Sequence, residues 1–176
     1  MRNGKWLQTF MGRAYYPTDP HPDDVTIIDI AHALSHICRY AGHCSTFYSV
    51  AEHSYLMSFM VAPEHALQAL LHDATEAYIQ DLPSPIKKTL FEYQAIEHLN
   101  RVVICKHFGI DSVEPPEVKQ ADKDILLSER AALFGSAPRS DWGPPEAVLQ
   151  PNVRIMCYRS KEIKRLFLRR FDQLWG

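Results

Sequence analysis

The sequence predicts an all-α fold, a helical bundle. Two observations carry this: apolar residues recur at three- and four-residue spacing through six separate stretches, and those stretches are bounded by helix caps, prolines and glycines. No internal repeat or low-complexity tract interrupts them. At 176 residues the chain fits one domain, 1–176, with a hydrophobic core of its own.

Residues 1–24, ending in YYPTDPHPDD, read as extended chain and turns with a short hairpin at the start. A first helix is expected over 25–37, where Ile27, Ile30, Leu34 and Ile37 recur at helical spacing and Asp23 or Asp24 caps the start. Gly42 ends the pattern in AGHCSTFY. A second helix follows in SVAEHSYLMSFMV (49–61), capped by Ser49 with Glu52 at the third position. Pro63 suits the first turn of a third, PEHALQALLHDATEAYI (63–79). Pro85 begins the fourth, or a short lead into it, and the pattern runs on to about Phe108, where Gly109 is a natural stop. The fifth spans about 116–134 and the last about 159–174, with Ile163, Leu166, Phe167 and Phe171 on one face. Between those two lies the proline-rich stretch 136–151, read as an irregular loop around Trp142.

Composition narrows the function classes. Hydrophobic residues at 46% and charged residues at 23% describe a globular chain. A net charge of −2 gives no general attraction to a nucleic-acid polymer or an anionic membrane, so any phosphate binding must be local. Cys38, Cys44, Cys105 and Cys157 have no CxxC spacing and read as reduced thiols. No stretch approaches 18 apolar residues and the first ten residues lack a signal-peptide pattern, so a cytoplasmic location is expected.

The stretch LLHDATEAYIQDLPSPIKK (70–88) departs from this pattern. Amid leucines it places His72, Asp73, Glu76 and Asp81. On a helix, His72 and Glu76 are four apart and Asp73 and Glu76 three apart, so the three share one side of one turn. On the second helix His53 lies on the apolar stripe of Val50 and Met57. On the fifth, Asp122 lies with Ile125, Leu126 and Glu129, which makes it the inward acid, whereas Asp124 shares a face with Glu117, Gln120 and Ser128. A carboxylate buried without a partner costs several kcal/mol, and the three helices supply no lysine or arginine for all of these acids. A divalent metal held by His53, His72, Asp73 and Asp122, with positions open to water and substrate, satisfies them. His32, His36, His65, His98 and His107 read as ordinary hydrogen-bonded histidines.

SVAEHS, LLHDATEAYIQDLPSPIK and VKQADKDILLSER together resemble the H…HD…D signature of the HD-domain phosphohydrolases, and ICRYAGH, with Arg39 14 residues before His53, resembles their substrate-binding Arg-aromatic element. The resemblance is closest to the short bacterial and prophage 5′-deoxynucleotidases of the YfdR type and runs from GRAYYP to RRFDQL. It implies His53, His72, Asp73 and Asp122 as ligands of one divalent transition metal (Co, Mn, Ni, Fe or Zn). It implies Glu76 and Asp81 as the catalytic carboxylates handling the water and leaving-group proton, and Arg39, Tyr40 and Lys87 as substrate-binding residues. The implied reaction releases phosphate from deoxynucleoside 5′-monophosphates. An alternative keeps the same site but releases triphosphate from a dNTP, with Lys87, Lys88, Lys119 and Lys123 as candidate cations for the outer phosphates. A non-catalytic nucleotide-binding regulator and a plain helical interaction protein are the readings from other classes. The apolar faces of the fourth and last helices exceed the needs of one small core, which points to a homo-oligomer.

Overall fold

A computed structural model describes residue 2, residues 4–134, residue 150 and residues 152–176. The predicted loop 136–151 lies outside the described residues but for Gln150. The fold is all-α, with one small hairpin. In chain order it comprises β1 (Leu7–Gln8), β2 (Ala14–Tyr15), α1 (Ile27–Leu34), α2 (Val50–Met57), α3 (Ala66–Leu70), α4 (Glu76–Ile79), α5 (Ser84–Lys87), α6 (Phe91–Phe108), α7 (Pro116–Leu133) and α8 (Ser160–Trp175). Short 3-10 turns occupy Pro22–Asp24, Tyr40–Gly42 and Pro63–His65.

The hairpin pairs Leu7 with Tyr15 and Gln8 with Ala14 in antiparallel register. It is tied to the bundle from both ends. Tyr15 stacks on Tyr78 with centroids 3.8 Å apart and donates its hydroxyl to Asn100 Oδ1 at 2.6 Å, while Asn100 Nδ2 donates back to Pro17 O and Ile96 O. Asp29 accepts from the backbone of Met11 at 2.7 Å.

Helix boundaries follow local chemistry. Thr26, rather than Asp23 or Asp24, caps α1: its hydroxyl accepts from Asp29 N at 3.1 Å, so the helix starts at Ile27. Ser49 caps α2 as its position suggests, accepting from Glu52 N at 3.1 Å. The Glu52 carboxylate instead turns outward from the cap and gathers the backbone N–H groups of Met156, Cys157 and Tyr158, which seats the segment leading into α8. Gly109 ends α6 in the left-handed conformation at φ 68°, and Ile110 N closes back on Cys105 O.

The predicted third helix, 63–79, is not continuous. After Leu70 the chain passes through a turn at 71–75 in which Ala74 N reaches back three residues to Leu71 O, as Glu76 N does to Asp73 O where α4 begins. In the fourth region the stretch around Pro85 is a short lead, α5, separate from α6.

The main core gathers Ile30 and Leu34 of α1, Val50 and Ala51 of α2, Leu70 of α3, Tyr78 of α4, Ile104 and Phe108 of α6, and Ile163, Phe167 and Phe171 of α8. Burying each of the large side chains is worth roughly 1.5–3 kcal/mol. A second cluster, Met57, Ala69, Val118, Ala121 and Ile125, docks α7 against α2 and α3. That docking brings the inner face of α7 over His53. No helix among the described residues is long and apolar enough to cross a membrane, and all four cysteines are free and half-buried.

Candidate metal centre

Three chain segments converge on one point. α2 presents His53, fully buried, and the turn between α3 and α4 presents His72 and Asp73. α7 presents Asp122 from the opposite side. The two imidazoles face each other with Nε2 atoms 3.2 Å apart. Asp122 Oδ1 lies 3.2 Å from His53 Nε2, and Asp73 Oδ2 lies 3.0 Å from His72 Nε2 and 3.8 Å from His53 Nε2. His53, His72 and Asp122 form a group whose ligand atoms are mutually within 4.8 Å and could hold a metal ion, the one such group among the described residues. Asp73 borders that group on the histidine side.

The outer ring nitrogens are fixed. His53 Nδ1 meets Glu129 Oε1 at 2.7 Å, and His72 Nδ1 meets the Ala69 carbonyl at 2.9 Å. Both partners only accept, so both Nδ1 atoms carry hydrogen, and in the neutral rings both Nε2 atoms are lone pairs aimed at one another. Two lone pairs at 3.2 Å require a cation between them, either a proton or a metal.

Glu129 is the hub of the surrounding shell. Its side chain is fully buried. It accepts from His53 Nδ1, from the Tyr48 hydroxyl at 2.8 Å and from the Tyr40 hydroxyl in a short bond, and Arg39 Nε lies 3.6 Å away. Burial raises the Glu129 carboxyl, but Arg39 and His53 overcome this and hold it at about 2. Burial likewise works against ionisation of Asp73, and His72, His53 and Arg39 outweigh it, so its carboxyl falls below the usual range. Asp122 is lowered too, its burial overcome by the hydrogen bond and charge of His53. With no metal present, burial and Arg39 push the His53 imidazole down, while Glu129 and Asp122 carry it up to about 9.

Glu76 behaves in the opposite way. It is buried, its Oε2 has no hydrogen-bond partner among the described residues, and burial together with the charges of Asp73 and Asp81 raises its carboxyl well above the ordinary range, only partly offset by Arg39 and Lys87. Burial and the neighbouring acids thus favour its protonated form.

Arg39 stands at the mouth of a loop closed by the Cys38–Ser49 bridge and by Arg39 N donating to Tyr48 O at 2.9 Å. Its Nη1 is 3.4 Å from Asp73 Oδ2. The next two residues, Tyr40 and Ala41, hold left-handed φ values of 56° and 49°, a conformation costing non-glycine residues roughly 1–2 kcal/mol each. It swings the Tyr40 ring onto Glu129, edge-on to Phe134.

No protein-family model matches the chain. It is 39% identical over 170 residues to uncharacterized protein YfdR of Escherichia coli K12, covering 96% of this chain and 95% of the relative. The chain belongs to the YfdR family. A second uncharacterized relative, from Rhodobacter capsulatus, is 31% identical over 186 aligned positions, with the same coverage.

In this YfdR-family chain the acids around the imidazoles outnumber the cation: Asp73, Asp122 and Glu129, all lowered, stand against Arg39, and His53, His72 and Asp122 could hold a metal ion. The remaining expected site residues sit at different distances from that point. Asp81 lies outside the imidazole group, on the wall of a cavity of about 430 Å³ that Ile37, Cys38, Ala41 and Gln80 also line. Gln80 there holds φ 70°. Lys87 makes no bond to the imidazoles: its ammonium pairs with Glu97 and lies 6.0 Å over the Tyr93 ring, although its charge is felt at Glu76.

Two corrections concern α7. Asp122 was expected to be the inward acid, yet its side chain is 44% exposed and sits at the rim of the imidazole group. Asp124 is the more buried of the two, held by the side-chain amides of Gln120 at 2.8 Å and Gln150 at 3.1 Å. Glu129 was not anticipated as a site residue. The signal for it was present: it lies seven residues after Asp122, hence on the same face, and a buried acid there must have partners.

Proposed function

We propose that the protein is a divalent-metal-dependent phosphohydrolase that releases phosphate from deoxynucleoside 5′-monophosphates. The observation that carries this reading is the facing pair of Nε2 atoms with the carboxylates of Asp122 and Asp73 beside them. The sequence resemblance to HD-domain phosphohydrolases points the same way. Mixed imidazole and carboxylate donors suit Mn, Fe, Co, Ni or Zn. His53, His72 and Asp122 hold the ion, with Asp73 as a fourth donor. When bound, such an ion supplies an activated nucleophile near neutral pH and polarises the phosphoryl group.

The chain's own residues supply the rest. Arg39, charged and at the mouth of the cluster, binds the substrate phosphate with charge-assisted hydrogen bonds. Tyr40, its ring beside Arg39, flanks the sugar. Glu76, whose carboxyl is shifted toward its protonated form by burial and the charges of Asp73 and Asp81, passes a proton to the leaving oxygen, and Asp81 orients the attacking water. Arg39 borders the imidazole group beside Asp73, whereas Lys87 pairs with Glu97 away from it, so one cation adjoins the candidate metal group, which favours one phosphate over three.

The test is to supply the purified protein with Co²⁺, or with each of the other transition metals, and every deoxynucleoside mono- and triphosphate, reading phosphate against triphosphate release. The reading expects phosphate from monophosphates. Triphosphate release would establish the alternative reaction at the same site, and no turnover with any nucleotide and metal would leave a non-catalytic nucleotide-binding regulator.

A further inference from the structure

Helix α6 is apolar on two sides and uses one. Its inner side, Asn100, Ile104 and Phe108, packs into the bundle, and its principal neighbours are α5 and the 3-10 turn at Pro22–Asp24. The outer side carries Glu92, Ala95, Leu99, Val102 and Lys106, all exposed. Their spacing of three, four, three and four is that of a coiled-coil seam. Leu99 is 41% and Val102 38% exposed, and Phe91 at the margin is 79% exposed. Ile86 and Leu90, ahead of the helix in sequence, are exposed as well. By contrast α8, the other helix with an apolar face in excess by sequence, spends that face in the core through Ile163, Phe167 and Phe171.

We infer that this seam is the interface with a second copy of the same chain, joined α6 to α6 in antiparallel fashion about a two-fold axis at Leu99. The order of residues along the seam selects both occupant and direction. It is acid, three apolar residues, base, centred on Leu99. Antiparallel pairing sets Leu99 on its own copy, Ala95 against Val102 of the other copy, and Glu92 against Lys106 at both ends. Parallel pairing would stack Glu92 on Glu92 and Lys106 on Lys106, which is repulsive at each end. Neither Glu92 nor Lys106 has an ion-pair partner among the described residues of its own chain. From Glu92 to Lys106 the seam spans roughly 21 Å, a small interface, so the dimer is reversible and concentration-dependent.

Sedimentation velocity of the full chain over a wide concentration range tests this. The wild type is expected to move from the 20.2 kDa chain mass toward twice that value as concentration rises. Leu99→Glu, on an exposed position that should keep the wild-type far-UV circular dichroism, is expected to stay monomeric. Glu92→Lys and Lys106→Glu are each expected to weaken the dimer at least several-fold, and the double exchange, which restores opposite charges across the axis, to recover it. A wild type that is monomeric at every concentration, a Leu99→Glu dimer as tight as the wild type, or a double exchange as weak as either single one would overturn the inference.

Discussion

Replacing Glu129 with glutamine changes one charge and almost no volume, and its effect can be worked out contact by contact. The carboxylate receives His53 Nδ1 at 2.7 Å and Tyr48 at 2.8 Å, the Tyr40 hydroxyl in a short bond, and Arg39 at 3.6 Å. Hydrogen bonds to a charged acceptor are worth about 1.5–3 kcal/mol and neutral ones about 0.5–1.5, so three donors each lose about 1 kcal/mol and the metal-free fold about 3 kcal/mol. The amide also no longer obliges His53 to carry its hydrogen on Nδ1. Losing such an outer partner of a metal-bound histidine lowers metal affinity about 10–100-fold, or about 1.4–2.7 kcal/mol. Competition with a chelator for Co²⁺ measures the affinity, and thermal denaturation measures the stability. Glu52→Gln is the control: that carboxylate is equally buried but binds only the backbone of 156–158, so it should destabilise while leaving Co²⁺ affinity unchanged. If Glu129→Gln binds Co²⁺ within twofold of wild type, or Glu52→Gln loses as much affinity, the positioning argument is wrong.

Other expectations follow from the same contacts. Glu76→Ala should keep its metal, because Glu76 lies outside the ligand group, and lose about 100-fold or more in turnover; full activity in a nucleotide assay would remove it from proton transfer. Metal binding should release the proton that His53 holds up to about 9 in the metal-free protein. Affinity therefore falls as pH drops below about 9 and levels off above it, and titration calorimetry in buffers of different ionisation enthalpy should detect the proton. In the metal-free protein the raised His53 pKa stabilises the fold fully below about 6.5, and that contribution fades as pH rises toward about 9. The lowered Glu129 carboxyl acts on the acid side, its contribution present above 4.5 and lost as pH falls toward 2. Asn100→Ala should destabilise by about 1–3 kcal/mol by stranding Tyr15 and the Pro17 carbonyl, read as a drop in denaturation midpoint; an unchanged midpoint would mean that the hairpin is not anchored there.

What could be read from the sequence was whatever is encoded by neighbours along the chain. The spacing of Ile163, Phe167 and Phe171, the Ser49 cap and the Gly109 stop all depend on residues within one or two turns, and the structure has them where the pattern puts them. The convergence of His53, His72 and Asp122 was also legible, because a buried acid or imidazole on an apolar stripe demands a partner. The break after Leu70 was not: residues 71–75 contain no glycine or proline to announce it, and it is imposed by tertiary packing that turns His72 toward His53. Nor was the rim position of Asp122. A helical wheel places Asp122 and Asp124 by angle alone, whereas Gln150, outside the helix, draws Asp124 into contact. Glu129 escaped for a related reason, since Tyr40 and Tyr48 reach it across 89 and 81 residues.

X-ray absorption of the Co²⁺-loaded protein tests the central claim most directly, since it sees the ligands of the ion itself. Two imidazole scatterers in the wild type, one in His53→Ala and one in His72→Ala, with bound metal lost in Asp122→Ala, is the predicted result. A wild-type spectrum without imidazole, or one that neither histidine substitution changes, would contradict it.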